Sequence, residues 1–305
     1  MKRIAKVLAA FLGSTVLLVV AAVLVLSNTD WGRERVRRIV LRALEGPVHG
    51  TVQIGRIEGN LLTGFVLRDV AIRDSAGNPF LTAAEARTRY GLRSLVKKRI
   101  ELSDLALVRP VVILDRPPGG EWNYERIFPG DTTTNKPESD APGWGDWLVL
   151  RDVRMVDGRI VVRTPWDPGV ELSEAERERA IAQALDTASR ANVVRVAGGF
   201  QQVQEFRAID ARMPLLRLKH PEYDPMRFEV DSLRMVALPF RPPAATVRQL
   251  RGAFEMTGDS LWWQGAHVMM PGSDATLGGR YAFDGGALAL DGRARRLALA
   301  DVRFL

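Results

Sequence analysis

The sequence of 305 residues contains no cysteine and only three histidines. The absence of cysteine excludes disulfides, thiolate metal sites and cysteine nucleophiles. His49, His220 and His267 lie far apart without the spacing of metal ligands, so a metal site has little support. The sequence also lacks a Gly-Lys phosphate-binding loop and a dinucleotide-binding fingerprint. We therefore expect neither an enzyme active site nor a bound metal or cofactor.

One short motif, Gly258-Asp259-Ser260-Leu261, matches the signature of a family of serine esterases. That chemistry requires a serine on a strand-to-helix turn, with a histidine and a carboxylate that take its proton. Here Trp262-Trp263-Gln264-Gly265 follows and predicts a strand, and Gln264 rather than a carboxylate stands three residues before His267. We interpret the match as a chance occurrence at a turn.

Excess positive charge is nearly absent outside the first 46 residues. Residues 1–46 hold eight basic and three acidic side chains, which accounts for +5 of the net charge of +7. Residues 47–305 carry the remaining +2. A nucleic-acid-binding protein concentrates positive charge on its binding surface, so we expect no nucleic-acid partner.

The N-terminal region contains one long uncharged run, residues 7–26. A helix of twenty residues is about 30 Å long and matches the hydrocarbon core of a bilayer. A cleaved signal peptide is the alternative, but its apolar region would be shorter and Leu26-Ser27-Asn28 is a poor cleavage site. The sequence predicts an uncleaved membrane anchor within residues 1–29. The numbers of basic residues on the two flanks leave its orientation open, and the export-type N-terminus favours a chain mostly outside the cytoplasm.

Residues 30–46 predict a short amphipathic helix after the anchor. Asp30 is a candidate N-cap, and Gly46 is a candidate stop signal. Its arginines would contact lipid headgroups. These candidate membrane-interface residues are Arg33, Arg35, Arg37, Arg38 and Arg42. An ordinary solvated face on a helix packed against the first sheet explains them equally well.

After Gly46, short alternating apolar runs broken by Gly, Pro, Asn and Asp predict a mainly β structure. One six-residue phrase recurs, with an aliphatic residue, two polar positions rich in Asp, an aliphatic, any residue and an apolar. Its five copies are Leu67–Ile72, Leu102–Leu107, Leu150–Met155, Val230–Met235 and Leu299–Phe304. The last two apolar positions lie on one face of a strand. The first lies either on the opposite face, or on the same face if a bulge at the polar pair restores the register.

The spacing of breaks predicts several segments. We expect a β module over 47–128, a flexible linker over 129–146 and a β-repeat module over 147–305. Ser173 and Glu176 form a predicted capping box for a helix near 173–190. We predict turns at Gly258-Asp259, Pro271-Gly272, Gly278-Gly279 and Asp284-Gly285-Gly286. Because the sequence ends on the fifth copy, we expect that a longer chain or a partner continues the array.

The order of these features resembles the N-terminal region of the AsmA-like and TamB proteins of diderm bacteria. The resemblance rests on Trp31-Gly32, Val52–Leu61, Leu67–Ile72, Leu107–Arg116 and Gly120–Tyr124. It is fairly specific over residues 1–128 and looser over 147–305. It implies a single-pass anchor in the bacterial inner membrane, followed by an elongated antiparallel β-sheet groove in the periplasm with one or two short helices. It also implies a role in outer-envelope biogenesis, with phospholipid or an outer-membrane protein as the partner.

Two functions remain open from the residues. In a lipid conduit, apolar side chains of the strands line a groove that holds acyl chains, each buried CH₂ contributing about 0.8 kcal/mol. The candidate lining residues are Val70, Ile72, Leu105, Leu107, Val111, Ile113, Val153, Met155, Leu233 and Met235. In a structural or assembly scaffold for outer-membrane protein insertion, the same residues fill a closed core and an exposed edge pairs with a client strand. Both functions require one apolar face.

Overall fold

The structure is a computed structural model. It describes Thr29, Glu34, Arg35, Arg38 and the ranges 49–59, 64–90, 100–127, 148–169, 172–189, 191–219, 225–257, 260–282 and 287–303. Apart from Thr29, the predicted anchor lies outside the described residues, as do the predicted linker and Arg33, Arg37 and Arg42. In the described part of the chain, no helix has the length and apolar character needed to cross a bilayer.

In the part of the chain that the structure describes, thirteen strands form one sheet. They are β1 (Gly50–Glu58), β2 (Gly64–Asp74), β3 (Pro79–Tyr90), β4 (Ile100–Val108), β5 (Val111–Asp115), β6 (Leu148–Trp166), β7 (Val193–Val196), β8 (Gly199–Lys219), β9 (Met226–Leu238), β10 (Ala245–Met256), β11 (Ser260–Met269), β12 (Asp274–Ala282) and β13 (Leu288–Arg296). Among the elements whose bounds lie within the described ranges are the short helices α1 (Asn123–Ile127) and α2 (Glu174–Leu185) and a 3₁₀ helix (Leu299–Val302). The expectation of a mainly β protein is confirmed.

The sheet runs as a single path from β1 to β13, in the order β1-β2-β3-β4-β6-β8-β9-β10-β11-β12-β13. Strand β5 continues the line of β4 and pairs with β3 and β6, while β7 pairs with β8. The sheet is mixed rather than wholly antiparallel, because β4 and β5 both pair with β6 in parallel. A parallel neighbour requires a long crossover rather than a tight hairpin, and residues 116–147 supply that connection.

Two predicted helical segments can be compared with the structure. Glu34, Arg35 and Arg38 are helical, and the Arg38 guanidinium lies 3.8 Å from the Glu34 carboxylate. Helix α2 begins after Ser173, whose backbone N–H donates to the Glu176 carboxylate at 3.0 Å, so the predicted capping box is confirmed. The Ser173 hydroxyl also donates to this carboxylate and lowers the pKa of Glu176.

The polar pair of the repeated phrase carries a left-handed backbone. Asp69, Asp104 and Asp152, the third residues of the first three copies, have φ angles of 53°, 51° and 50°. Aspartate tolerates this region better than most residues because its short polar side chain can hydrogen-bond locally. A single such residue shifts the alternation of a strand by one position, so the first aliphatic residue joins the face of the last two.

Strand β1 shows that shift directly. Ile57 pairs with Leu67, and Ile54 pairs with Val70, which are the first and second aliphatic residues of the phrase. Ile54 and Ile57 are both 5% exposed, whereas Gly55 and Arg56 between them are exposed. The two isoleucines therefore share a face although they are three residues apart. Of the two alternatives left open by the sequence, restored register is the one found.

The last two copies of the phrase behave differently from the first three. In the fourth copy Val230 and Leu233 pack in one cluster, and the pairing of β9 with β10 shifts by one residue between them. The fifth copy is not a strand, because residues 299–302 form the 3₁₀ helix and Leu299 is exposed. The Asp301 carboxylate accepts a hydrogen bond from the Gly272 backbone N–H at 2.8 Å. This contact fixes the 3₁₀ helix against the turn before β12.

Of the four predicted turns, one is wrong and one is confirmed, while those at Gly258-Asp259 and Asp284-Gly285-Gly286 lie outside the described residues. Gly278 and Gly279 lie inside β12 rather than at a turn. A side chain at Gly278 would collide with Asp291, and one at Gly279 would collide with Trp263. They are therefore glycines for close approach rather than for a turn. The predicted turn at Pro271-Gly272 is present and is closed by a hydrogen bond from the Met270 N–H to the Ser273 oxygen.

Candidate functional site

Strand register brings one residue from each strand of the path into a continuous row. Leu107 of β4 pairs with Ala86 on one side and with Met155 on the other. Met155 pairs with Ala211, which pairs with Leu233, and the same chain of partners extends to both edges. The members of this apolar row are Ile57, Leu67, Ala86, Leu107, Met155, Ala211, Leu233, Leu250, Val268, Ala275 and Ala294. None of the eleven carries a charge or a hydrogen-bonding group.

The apolar row defines what we call the apolar face. Adjacent strands lie about 4.8 Å apart, so a row across eleven strands extends for about 50 Å. Of its members, Ile57 is buried, the nine from Leu67 to Ala275 are half-buried, and Ala294 is exposed. A second layer packed over the face would bury such side chains almost completely, as it does in sandwich cores.

The apolar face contains one buried cluster, which is formed by neighbouring strands of the same sheet. Its buried centre is Val230, Phe254 and Ala266, and Phe254 stacks on Phe228 with ring centroids 5.2 Å apart. The half-buried residues around it are Met213, Phe228, Leu233, Leu250, Leu261 and Trp263. All nine come from the consecutive strands β8 to β11. The cluster is therefore formed by side-by-side neighbours on one face.

Eight of the ten predicted lining residues lie on the apolar face. They are Val70, Ile72, Leu105, Leu107, Val153, Met155, Leu233 and Met235, and of these Val153 alone is buried, at 3% exposure. The other two, Val111 and Ile113, are on the opposite face. Val112 pairs with Leu81 of the apolar face, so its neighbours Val111 and Ile113 point the other way.

Val111 and Ile113 lie on the opposite face because of a second left-handed residue in this part of the chain. Arg109 has a φ of 47°, and it separates Leu107 from the segment that contains Val111. Counting by twos from Leu107 reaches Val111 and Ile113, but the shift at Arg109 moves Pro110, Val112 and Leu114 to the apolar face instead. Asp157 of the neighbouring β6, at φ 53°, makes the same shift beside it.

The opposite face carries charged side chains that form ion pairs with one another, most of them between neighbouring strands. Arg68 of β2 contacts both Glu58 of β1 and Glu85 of β3. Asp104 of β4 lies 3.4 Å from Arg89 and 3.8 Å from Arg154. Further pairs on this ion-paired face are Arg87–Glu85, Arg159–Glu205, Arg212–Asp231, Arg234–Asp210 and Arg227–Glu255. Solvent-exposed ion pairs of this kind each contribute little to stability.

One of these pairs shifts a pKa. The Arg234 Nε donates to the Asp210 carboxylate at 2.8 Å, and this hydrogen bond lowers the pKa of Asp210 below its ordinary value of 3.8. A further hydrogen bond from the Asp157 backbone N–H at 3.2 Å acts in the same direction. Asp157 has a left-handed backbone, so the carboxylate also holds the kinked segment of β6 in place.

Buried polar side chains near β5 have structural partners. Asn123 of α1 donates to the Ile113 oxygen at 2.7 Å and accepts from the Asp115 backbone N–H at 3.0 Å. Gln201 of β8 donates to the Asp115 carboxylate and to the Arg116 oxygen. These contacts attach α1 and β8 to the end of β5, and they satisfy the amide groups that burial would otherwise destabilise.

The residues with possible catalytic chemistry are also held in structural contacts. Ser260 is 1% exposed at the start of β11, and its hydroxyl accepts from the Trp262 indole N–H at 2.8 Å. A strand follows it, not a helix. His267 Nε2 lies 2.8 Å from the Asp274 carboxylate on the neighbouring strand. Within the described ranges, no three His, Asp or Glu side chains are placed to hold a metal ion.

Comparison with protein-family models, curated proteins and solved structures finds no match for this chain. The candidate site is therefore defined by the geometry of the apolar face. Sequence reasoning identified residues of this face in β2, β4, β6 and β9 from the repeated phrase. It missed Leu250, Val268 and Ala275, whose strands lack the phrase. Their alternation of apolar and polar residues is the signal that locates them.

Proposed function

We propose that the protein binds phospholipid acyl chains along its apolar face, as an inner-membrane-anchored periplasmic protein of outer-envelope biogenesis. The single observation that carries the proposal is the apolar row, which crosses every strand of the path without a charged residue and is half-buried over nine of its members. The N-terminal apolar run and the resemblance to AsmA-like and TamB proteins supply the location.

Hydrocarbon suits this surface on energetic grounds. Each CH₂ removed from water contributes about 0.8 kcal/mol, and the same acyl chain covers apolar side chains that are otherwise half exposed. The gain needs no hydrogen-bond donor or charge on the protein, and the row offers none. Headgroups would remain in water at the rim of the face, so binding would be selective for chain length more than for headgroup.

The scaffold function makes a different use of the same face. If the apolar side chains serve only to fill a core, a client protein rather than lipid would contact the sheet, and it would do so at an edge. The two functions are distinguished by what touches Leu233 in the cell. A lipid adduct at this position supports the conduit, whereas protein adducts at an edge strand, with no lipid at Leu233, support the scaffold.

Site-specific photocrosslinking of the full chain in bacteria tests the proposal. A photoreactive amino acid replaces either Leu233, on the apolar face, or its neighbour Ser232, which pairs with Arg212 on the ion-paired face. After irradiation in cells labelled with radioactive phosphate, the purified chain is analysed for bound label. We expect label on the Leu233 variant and at least tenfold less on the Ser232 variant, because only the first side chain contacts acyl chains.

Equal labelling of the two variants, or label on neither, would contradict lipid binding on the apolar face. Folding of both variants is checked by protease resistance of the purified chain. The choice of adjacent residues keeps the position along the strand constant, so that the face is the only variable.

A further inference from the structure

The two edges of the sheet differ in how their side chains are covered. At one edge, Ile54 and Ile57 of β1 are 5% exposed. At the other edge, all nine residues of β13 are exposed, including Leu288 at 56% and Leu290 at 55%. Within the described residues β13 pairs with β12 alone, so one side of its backbone has no strand beside it. A long exposed edge is a template for another strand.

The apolar face continues onto this edge strand. Leu288 pairs with Tyr281, and Leu290 pairs with Gly279, whose close approach to Trp263 leaves no room for a side chain. The two leucines therefore extend the apolar face by one strand beyond β12. An added strand would place its own apolar side chains directly against them, at the spacing of cross-strand pairs.

The other face of β13 is basic. The strand contains Arg293, Arg295 and Arg296 against the single carboxylate of Asp291, a formal net charge of +2. Arg293 pairs with Thr276, which pairs with His267, so it lies on the face opposite Leu290. Arg295 lies 3.9 Å from Asp274, at the bulge that separates the pairs of Ala294 and Arg296. Side chains of opposite charge stabilise a cross-strand pair, and side chains of like charge destabilise it.

We propose that β13 accepts an extended segment of another protein as an additional strand of the sheet. The segment alternates, with apolar side chains beside Leu288 and Leu290 and acidic side chains beside Arg293 and Arg296. A second copy of this chain fits less well, because each β13 carries the same positive charge. The proposal is independent of whether lipid occupies the apolar face, since it rests on the backbone edge and the charges of one strand.

Binding of synthetic peptides to the full chain in detergent tests the inference, with fluorescence anisotropy as the readout. The probe is a labelled nine-residue peptide of alternating leucine and glutamate. Two matched peptides replace glutamate by lysine, or carry N-methyl groups on alternate amides and so lack the donors of a strand ladder. We expect binding of the first peptide and at least tenfold weaker binding of the other two.

Variants at exposed positions assign the contact to β13. Arg293→Glu with Arg296→Glu should weaken binding of the acidic peptide at least tenfold, because two cross-strand ion pairs become like-charge pairs. Leu290→Glu should weaken it comparably, and the distant charge-matched pair Arg207→Glu with Arg248→Glu should not. Equal binding of the N-methyl peptide, or an equal effect of the two charge-reversed pairs, would reduce the contact to general electrostatics and overturn the proposal. A dimer through β13 in ultracentrifugation that the acidic peptide does not dissociate would also overturn it.

Discussion

The two faces of the sheet are built from alternate residues of the same strands, yet they behave as different surfaces. Leu107 belongs to the apolar row, whereas its neighbour Ala106 pairs with Arg87 and Arg154 among the charged side chains. On the ion-paired face, the charged side chains form ion pairs with one another. On the other face the side chains are half-buried by in-plane neighbours and gain from any apolar material laid over them. The charged side chains of the ion-paired face have partners on the sheet itself, whereas the apolar face is the surface that we propose binds lipid.

The difference between the faces depends on a few left-handed residues. Without the shift at Asp69, Asp104 and Asp152, the first aliphatic residue of each phrase would point among the charges. Each shift also bends its strand, as bulges do. The same residues that kink the strands therefore keep the apolar face free of charge.

The largest expected effect concerns how much each face contributes to the stability of the fold. Phe254→Ala removes a buried ring that stacks on Phe228, and it should lower the free energy of unfolding by about 3–4 kcal/mol. Glu255→Ala, one residue along β10, removes a surface ion pair with Arg227 and should cost less than about 1 kcal/mol. Urea denaturation followed by tryptophan fluorescence measures both. Equal losses of unfolding free energy in the two variants would mean that both faces contribute equally to stability, which would contradict the comparison.

A second prediction concerns the residue that assigns side chains to faces. Asp152→Val places a β-branched side chain at a φ of 50° and should destabilise the protein by about 1–2 kcal/mol. Asp152→Gly, the matched control, should change stability by less than about 1 kcal/mol because glycine adopts this backbone without strain. Urea denaturation measures both variants. A valine variant as stable as the glycine variant would contradict a left-handed backbone at this position.

The smallest effect tests the ion-paired face alone. Because the Arg234 hydrogen bond lowers the pKa of Asp210 in the folded chain, the carboxylate stabilises the fold above its unfolded pKa near 3.8. This contribution is lost as the pH falls through the lower folded pKa. The stability difference between the natural chain and Asp210→Asn should therefore narrow below about pH 4. A stability difference that stays constant from pH 7 to pH 2 would show that the Arg234–Asp210 pair does not lower the pKa of Asp210 in the folded chain.

Part of this arrangement could be predicted from the sequence. The phrase at Leu150–Met155 indicated a strand, and its polar pair indicated a possible bulge, because period-two alternation fails there. The helix after Ser173 was predictable because capping is a local interaction. The position of eight of the ten predicted lining residues on one face followed from the same alternation.

The rest depends on partners that a local pattern does not specify. Parallel pairing of β4 and β5 with β6 depends on the path of a long connection, so an antiparallel sheet was the wrong expectation. Arg109 has a left-handed backbone without the Gly or Asn that usually signals one, so Val111 and Ile113 were placed on the wrong face. Gly278 and Gly279 looked like a turn because the close approach of Trp263 and Asp291 is visible only in three dimensions.

The most direct test of lipid binding compares adjacent arginine substitutions on the two faces. The full chain carrying either Leu107→Arg or Ala106→Arg is purified in mild detergent, and its phospholipid content per chain is measured by mass spectrometry. We predict co-purified phospholipid with the natural chain and with Ala106→Arg, and at least a tenfold loss with Leu107→Arg in a chain that remains folded by circular dichroism. Absence of phospholipid from the natural chain, or equal retention by the two variants, would contradict the account.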